Sequence, residues 1–155
     1  MIFLKSVLCL LLAGGFAQTD TIFKKEMGPL QSAVDVAITS TGSRIMSSPR
    51  ATYLDDYGVL VSVEVALEAP PNPFDGFKTS DATRKAVNTR YKDLTTKLAD
   101  LVKEQVAKID SVGATESLSV VVYILNANPA DAPNLPSQLV ITMKKSGSEP
   151  SVRTF

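Results

Sequence analysis

The chain of 155 residues contains no histidine, no tryptophan and a single cysteine, Cys9. Without histidine, the usual zinc, copper and haem ligand sets are excluded, and so is nucleophilic catalysis of the Ser–His or Cys–His kind. A disulfide within the chain is excluded because one cysteine has no partner. We therefore expect no metal and no cofactor, and a fold that depends on its apolar core.

An excess of charge of one sign is also missing, since 16 Lys and Arg residues balance 16 Asp and Glu residues. A protein without a basic excess releases few counterions from nucleic acid, so nucleic acid is disfavoured as a partner. The glycine loops that cradle phosphates, G-x-G-x-x-G and G-x-x-x-x-G-K-[ST], do not occur either. Nucleotide chemistry is therefore not indicated.

The first 17 residues, MIFLKSVLCLLLAGGFA, begin with one basic residue, Lys5, followed by an apolar run from Val7 to Ala13. Small residues stand at positions −3 and −1 of a cut before Gln18. This order is typical of a cleavable secretory signal peptide. The pattern predicts an exported protein of the periplasm or the extracellular medium, and its single domain is residues 18–155.

Two other interpretations of the N-terminal segment are a retained membrane anchor and a buried helix. The apolar run is shorter than the ~18 to 20 residues that span a bilayer, which favours the signal peptide. Lipid attachment at Cys9 is rejected, because Leu8 precedes the cysteine inside the apolar core. We therefore expect no membrane anchor after cleavage.

Hydrophobic periodicity predicts two helices and three strands in the remainder of the chain. Alternating valines mark a half-buried strand near 59–67, and apolar residues spaced by three or four mark a long helix that ends at Gly113. Two proline-rich segments, 69–79 and 126–137, are expected to be loops. The predicted elements are a helix at about 29–39, a strand within 51–68, a helix over 80–111, strands over 117–125 and 138–144, and a loose tail over 145–155.

These elements predict the α/β (α+β) class: a small two-layer sandwich in which one long amphipathic helix packs across a mixed sheet of three to four strands. The crossing from the first strand through the long helix favours a parallel pair, and the last two strands are expected to be antiparallel. The strand over 117–125 is apolar on both faces, which favours a central strand covered on two sides. Tyr91 and Tyr123 are expected to pack in the core, which spans about 29–144.

The densest polar cluster precedes the valine-rich strand. Its two adjacent carboxylates could bind a hard cation, but they lack the ligand count of a calcium site, and a turn explains them better. Two phenylalanines in the first proline-rich segment either pin that loop to the core or form a binding rim. The candidate binding residues are therefore Tyr53, Asp55, Asp56, Tyr57, Phe74 and Phe77.

The stretch Tyr53-Leu54-x-x-Tyr57-Gly58-Val59, which runs into the valine-rich strand, resembles a family of uncharacterised exported bacterial proteins. In those proteins a long amphipathic helix and two more strands follow, so the resemblance covers roughly residues 50–144. Asp56 stands where they usually carry a glycine. The resemblance implies export and a fold rather than an activity.

Two hypotheses of function remain open. The first is a non-enzymatic binding or scaffolding domain of the cell envelope, which meets a protein partner through an exposed sheet edge or its loop aromatics. The alternative is a hydrolase or lyase that acts on envelope sugars through two carboxyl groups. Its candidate acids are Asp55, Asp56, Glu64 and Asp75, although Glu64 suits an exposed sheet face or a salt bridge better.

Overall fold

A computed structural model describes the backbone of residues 8–68, 81–125, 132 and 134–155, and the described side chains begin at Phe23. The fold is α+β, with two helices and five strands in the described ranges. The elements are α1 (Leu8–Thr39), β1 (Arg44–Leu54), β2 (Gly58–Ala66), α2 (Asp81–Lys108), β3 (Ser117–Leu125), β4 (Gln138–Lys144) and β5 (Ser151–Thr154).

The five strands form one mixed sheet in the order β1-β2-β3-β4-β5. β2 and β3 are parallel, as the crossing through α2 requires, and every other neighbouring pair is antiparallel. The predicted parallel pair, the antiparallel last two predicted strands and the central place of 117–125 are confirmed. The predicted count of three to four strands is one or two short.

The core lies between the helices and one face of the sheet, in a single cluster. Each fully buried aliphatic side chain contributes roughly 1.5–3 kcal/mol relative to an exposed one. The period-two pattern is confirmed, because alternate residues of β2 are buried, and so is the helical stripe of α2. The contributors from α1, α2 and β2 are Met27, Leu30, Val34, Ile38, Val87, Leu94, Leu98, Val102, Val106, Val59, Val61, Val63 and Val65.

The first helix is longer than the sequence predicts, since it begins at Leu8 rather than near residue 29 and ends at Thr39 as expected. Pro29 lies inside the helix, where it costs about 3 kcal/mol through a lost hydrogen bond and a clash with the preceding turn. The ring of Pro29 is exposed, while Leu30 and Val34 are buried on the opposite side. Burial of the apolar stripe outweighs the cost of the proline. No helix in the described part of the chain is long and apolar enough to cross a membrane.

Strand β1 is absent from the sequence prediction, which placed only a turn before β2. Its pairing with β2 contains two irregularities, between Ile45 and Ser47 and between Ser47 and Arg50. Each irregularity adds a residue to β1 and shifts its side chains out of period two. Pro49 lies in the same stretch, and proline is compatible with an edge strand but not with a central one.

The C-terminal segment is ordered rather than loose, because β5 pairs with β4 and Phe155 exchanges backbone hydrogen bonds with Gln138. Helix α2 ends at Lys108 instead of 111, and Gly113 does not adopt a left-handed φ. The backbone beyond the helix is bound by Lys145, whose Nζ donates to the carbonyl oxygens of Ile109 at 2.6 Å and Val112 at 2.9 Å. A cation at this end of a helix also offsets the negative pole of the helix dipole.

Candidate functional site

One face of the sheet carries no second layer of described residues. Both helices pack against the face that holds the buried valines of β2, so the alternate residues of each strand point the other way. The prediction that β3 is buried on two sides holds for Ser117, Ser119 and Val121 on this face, whereas Tyr123 is exposed instead of buried. We call this surface the open face; its residues are Arg44, Ser47, Arg50, Thr52, Leu54, Leu60, Ser62, Glu64, Ser119, Val121, Tyr123, Leu125, Gln138, Val140, Thr142, Lys144, Ser151 and Arg153.

The open face has an uneven charge, with four basic residues and one acid. The bases are Arg44, Arg50, Lys144 and Arg153, the acid is Glu64, and all five are exposed. Among the described residues, the ion pairs lie elsewhere and include none of these five. Since the chain as a whole is neutral, this face concentrates positive charge that forms no ion pair within the described ranges.

A shallow groove of ≈ 250 Å³ crosses β1, β2 and β3 on the open face. The register sets Glu64 between Ser47 of β1 and Tyr123 of β3. Arg50 also lines the groove, at the position of β1 that pairs with Ser62. Its nitrogens are more than 4.0 Å from the Glu64 carboxylate oxygens, since the two residues form no ion pair. The groove therefore presents a cation and an anion that form no ion pair with described residues, beside a phenol ring that is 45% exposed.

Tyr53 and Tyr57 of the predicted cluster lie on opposite sides of the sheet. Tyr53 faces the helices, where its ring meets Phe23 edge-on at 5.9 Å and its hydroxyl donates to Glu116 Oε1 at 2.5 Å. The hydrogen bond to the Glu116 carboxylate, with burial and nearby acids, raises the pKa of Tyr53 to about 12. The phenol is therefore a hydrogen-bond donor at neutral pH and is unsuited to act as a nucleophile or base.

Tyr57 folds over the open face at its far end, where its hydroxyl lies 2.7 Å from the Ser119 hydroxyl. Ser119 is in turn 2.7 Å from the hydroxyl of Thr142, which extends the chain of hydroxyls to β4. Ser119 is fully buried although it belongs to the open face, and Tyr57 supplies one of its two side-chain partners. Both tyrosines of the cluster thus make hydrogen bonds that hold strands together.

The two aspartates of the cluster form the connection between β1 and β2, as the turn interpretation predicts. The N–H of Tyr57 donates to the carbonyl oxygen of Leu54 at 3.1 Å, and Asp56 adopts a left-handed φ of 62°. Gly58 follows with a φ of 108°, and a Cβ there would lie 2.3 Å from the Ser117 carbonyl oxygen, so glycine is required.

The candidate acids do not converge. Gly58 and Glu64 are six residues apart on β2, so the aspartates of the turn lie about 20 Å from Glu64 at ~3.3 Å per residue. No group of three or more acidic or cysteine side chains in the described ranges could hold a metal ion. Asp75, Phe74 and Phe77 lie outside the described residues.

The groove residues Ser47, Arg50, Ser62 and Tyr123 are missing from the sequence prediction, which names only Glu64. The sequence contains one sign of the groove: Ser62 and Glu64 alternate with the valines and so mark a polar face of β2. The groove lies in the carboxyl-terminal half of the parallel strands β2 and β3.

The chain matches no known family model, no curated protein and no solved structure. The open face and its groove are therefore the basis for an assignment of function.

Proposed function

We propose that this protein is an exported, non-enzymatic binding domain of the cell envelope, and that its binding surface is the open face of the sheet. The observation that carries this proposal is the set of cations on one ordered face of the sheet that form no ion pair with, and are not packed beneath, any residue the structure describes. Export rests on the N-terminal pattern of short apolar run and small-residue cleavage site. The compartment is the periplasm or the extracellular medium.

The composition of the open face supports a role in binding. Leu54, Tyr123 and Leu125 expose 44%, 45% and 44% of their surface beside the arginines. Arginine and tyrosine are enriched at interfaces, since both combine a large contact area with directional hydrogen bonds. Five hydrogen-bonded strands hold these side chains on a rigid platform, which lowers the entropic cost of binding.

The alternative, a carboxylate-dependent hydrolase or lyase, is less well supported by the described residues. Glycoside hydrolysis needs two carboxyl groups about 5 to 10 Å apart across a cleft. Glu64 is the one acid of the groove, and the aspartates of the turn lie at the opposite end of β2. A binding role needs no second carboxyl group.

Site-specific photo-crosslinking in a bacterial host tests the proposal. The full chain, with its own N-terminus, carries the photoreactive residue at Leu125 on the open face or at Lys92 on the exposed side of α2. We expect discrete adducts with an envelope component from position 125 and none from position 92. Adducts of equal yield at both positions, or at neither, would contradict the open face as the binding surface.

The same samples test export. Mass spectrometry of the protein recovered from the envelope or the medium should find an N-terminus at Gln18. An intact N-terminus on protein confined to the cytoplasm would contradict export without reference to the open face.

A further inference from the structure

We propose that the groove of the open face binds a free α-amino acid as a zwitterion, with the carboxylate on Arg50 and the ammonium group on Glu64. This inference rests on the proposed binding function and assigns the class of ligand to one part of the open face. The relevant feature is that two opposite charges share a groove without pairing with each other.

The spacing of the two charges leaves room for a ligand between them. Arg50 pairs with Ser62 across the β1–β2 ladder, so Glu64 occupies the diagonal position two residues further along β2. Diagonal neighbours of this kind have Cα atoms roughly 7–8 Å apart. An α-amino acid carries both of its charged groups on one carbon atom and fits within that gap.

Each group of the groove has a counterpart in such a ligand. The Arg50 guanidinium can donate two parallel hydrogen bonds to a carboxylate, and the Glu64 carboxylate can accept from an ammonium group. The exposed ring of Tyr123 lies next to Glu64 in the register and can attract the same ammonium group through its π face. The hydroxyls of Ser47 and Ser62 add donors and acceptors at the floor of the groove.

Volume and charge favour a small zwitterion over an acidic polymer. The groove, at ≈ 250 Å³, is smaller than the ~300–1,000 Å³ of most ligand pockets. An acidic polymer laid across the sheet would bring its charges next to Glu64, which repels them. Because the groove is shallow and exposed, we expect millimolar affinity.

Titration calorimetry or amide chemical-shift mapping tests the assignment on protein purified as the expressing cell processes it. The probes are glycine, L-alanine, acetate and methylammonium, each up to about 50 mM. We expect both amino acids to bind at least about tenfold more tightly than either singly charged probe, since only they engage both charges. The shifted amides should lie in β1, β2 and β3.

Two charge-removing variants and a matched control sharpen the test. Arg50→Gln and Glu64→Gln should each weaken glycine binding by about tenfold, because each loses one charge-assisted contact. Glu64→Gln should at the same time strengthen acetate binding, because the repelling carboxylate is gone. Lys92→Gln, on the exposed side of α2 and away from the open face, should change glycine binding by less than about twofold.

Three outcomes would overturn the assignment: no glycine binding, acetate binding equal to glycine in the unaltered protein, or polyglutamate binding that depends on Arg44 and Arg153. Each would leave the proposed function standing if position 125 still forms specific adducts. If position 125 forms no specific adducts but glycine still binds and the Arg50 and Glu64 variants weaken that binding, the result contradicts the envelope partner. The amino-acid site in the groove then stands.

Discussion

Glu26 of α1 and Ser111, beyond the end of α2, are joined by two hydrogen bonds. Oε2 of Glu26 accepts from the Ser111 hydroxyl at 2.6 Å and from its N–H at 3.1 Å, while Oε1 accepts from the N–H of Asp110 at 2.7 Å. Lys145 binds backbone carbonyl oxygens of the same turn from the β4–β5 side. Residues from three parts of the chain thus fix the segment that leads from α2 into β3.

Glu26→Gln should lower the free energy of unfolding by about 1–3 kcal/mol, because backbone N–H groups lose a charged acceptor that no other described residue supplies. Urea denaturation of the variant measures this change. Glu104→Gln is the matched control, since the described partner of Glu104 is Lys108, on the exposed side of α2. The control should cost about 0.5 kcal/mol or less, and equal losses in both variants would contradict the role of Glu26.

The pH dependence of stability should change in the same variant. Burial raises the pKa of Glu26, but the hydrogen bonds from Ser111 and Asp110 outweigh it and lower the pKa below 4.5. A carboxyl whose pKa is lowered by folding stabilises the protein above its unfolded pKa, and this contribution is lost as the pH falls through the folded pKa. The stability difference between wild type and Glu26→Gln should therefore be constant near neutral pH and shrink below about pH 4.5. A difference that persists to pH 2–3 would show that the charge of Glu26 is irrelevant.

Tyr53 should titrate above the ordinary pH range of a tyrosine in alkali. The chain has four tyrosines, and the hydrogen bond to Glu116 raises the pKa of Tyr53 to about 12. The raised pKa stabilises the fold below the unfolded pKa of ~10, and this contribution is lost as the pH rises through 12. Absorbance at the phenolate band should show an ionisation step near pH 12. Tyr53→Phe should remove this step, and Glu116→Gln should shift it to lower pH. The control Tyr91→Phe should leave the step in place.

Replacement of Asp56 by glycine should be neutral or stabilising, by up to about 1 kcal/mol, because residue 56 holds a left-handed φ of 62° that glycine adopts without strain. The matched variant Asp55→Gly adds backbone freedom without relieving such strain, so it should destabilise by about 0.5–1 kcal/mol. Thermal unfolding of the two variants gives the order. The opposite order would mean that the Asp56 side chain stabilises the turn more than its backbone strains it.

Strong local periodicity made part of this fold predictable. The valines of β2, the apolar stripe of α2 and the alternation of β3 and β4 each repeat often enough to identify their element. β1 was missed because Pro49 and its two irregularities erase the period-two pattern. β5 was missed because four exposed residues contain no buried alternation, and the strand exists through pairing with β4.

The groove was less predictable than the fold. Its residues come from β1, β2 and β3, which the sequence separates by as many as 76 positions from Ser47 to Tyr123. The opposition of Arg50 and Glu64 depends on the irregular register of a strand that the sequence does not reveal. The cluster around Tyr57 was conspicuous because its residues are adjacent in sequence, yet that adjacency reflects a turn.

The two outer strands of the sheet differ in a way that limits self-association. β1 contains Pro49 and two irregularities, so it offers a poor template for an added strand, whereas β5 has neither within its four residues. A copy that docks on β5 through its own β5 uses up the accessible edge of both molecules. We therefore expect edge-to-edge growth of this sheet to close at a two-fold pair instead of propagating into a fibre.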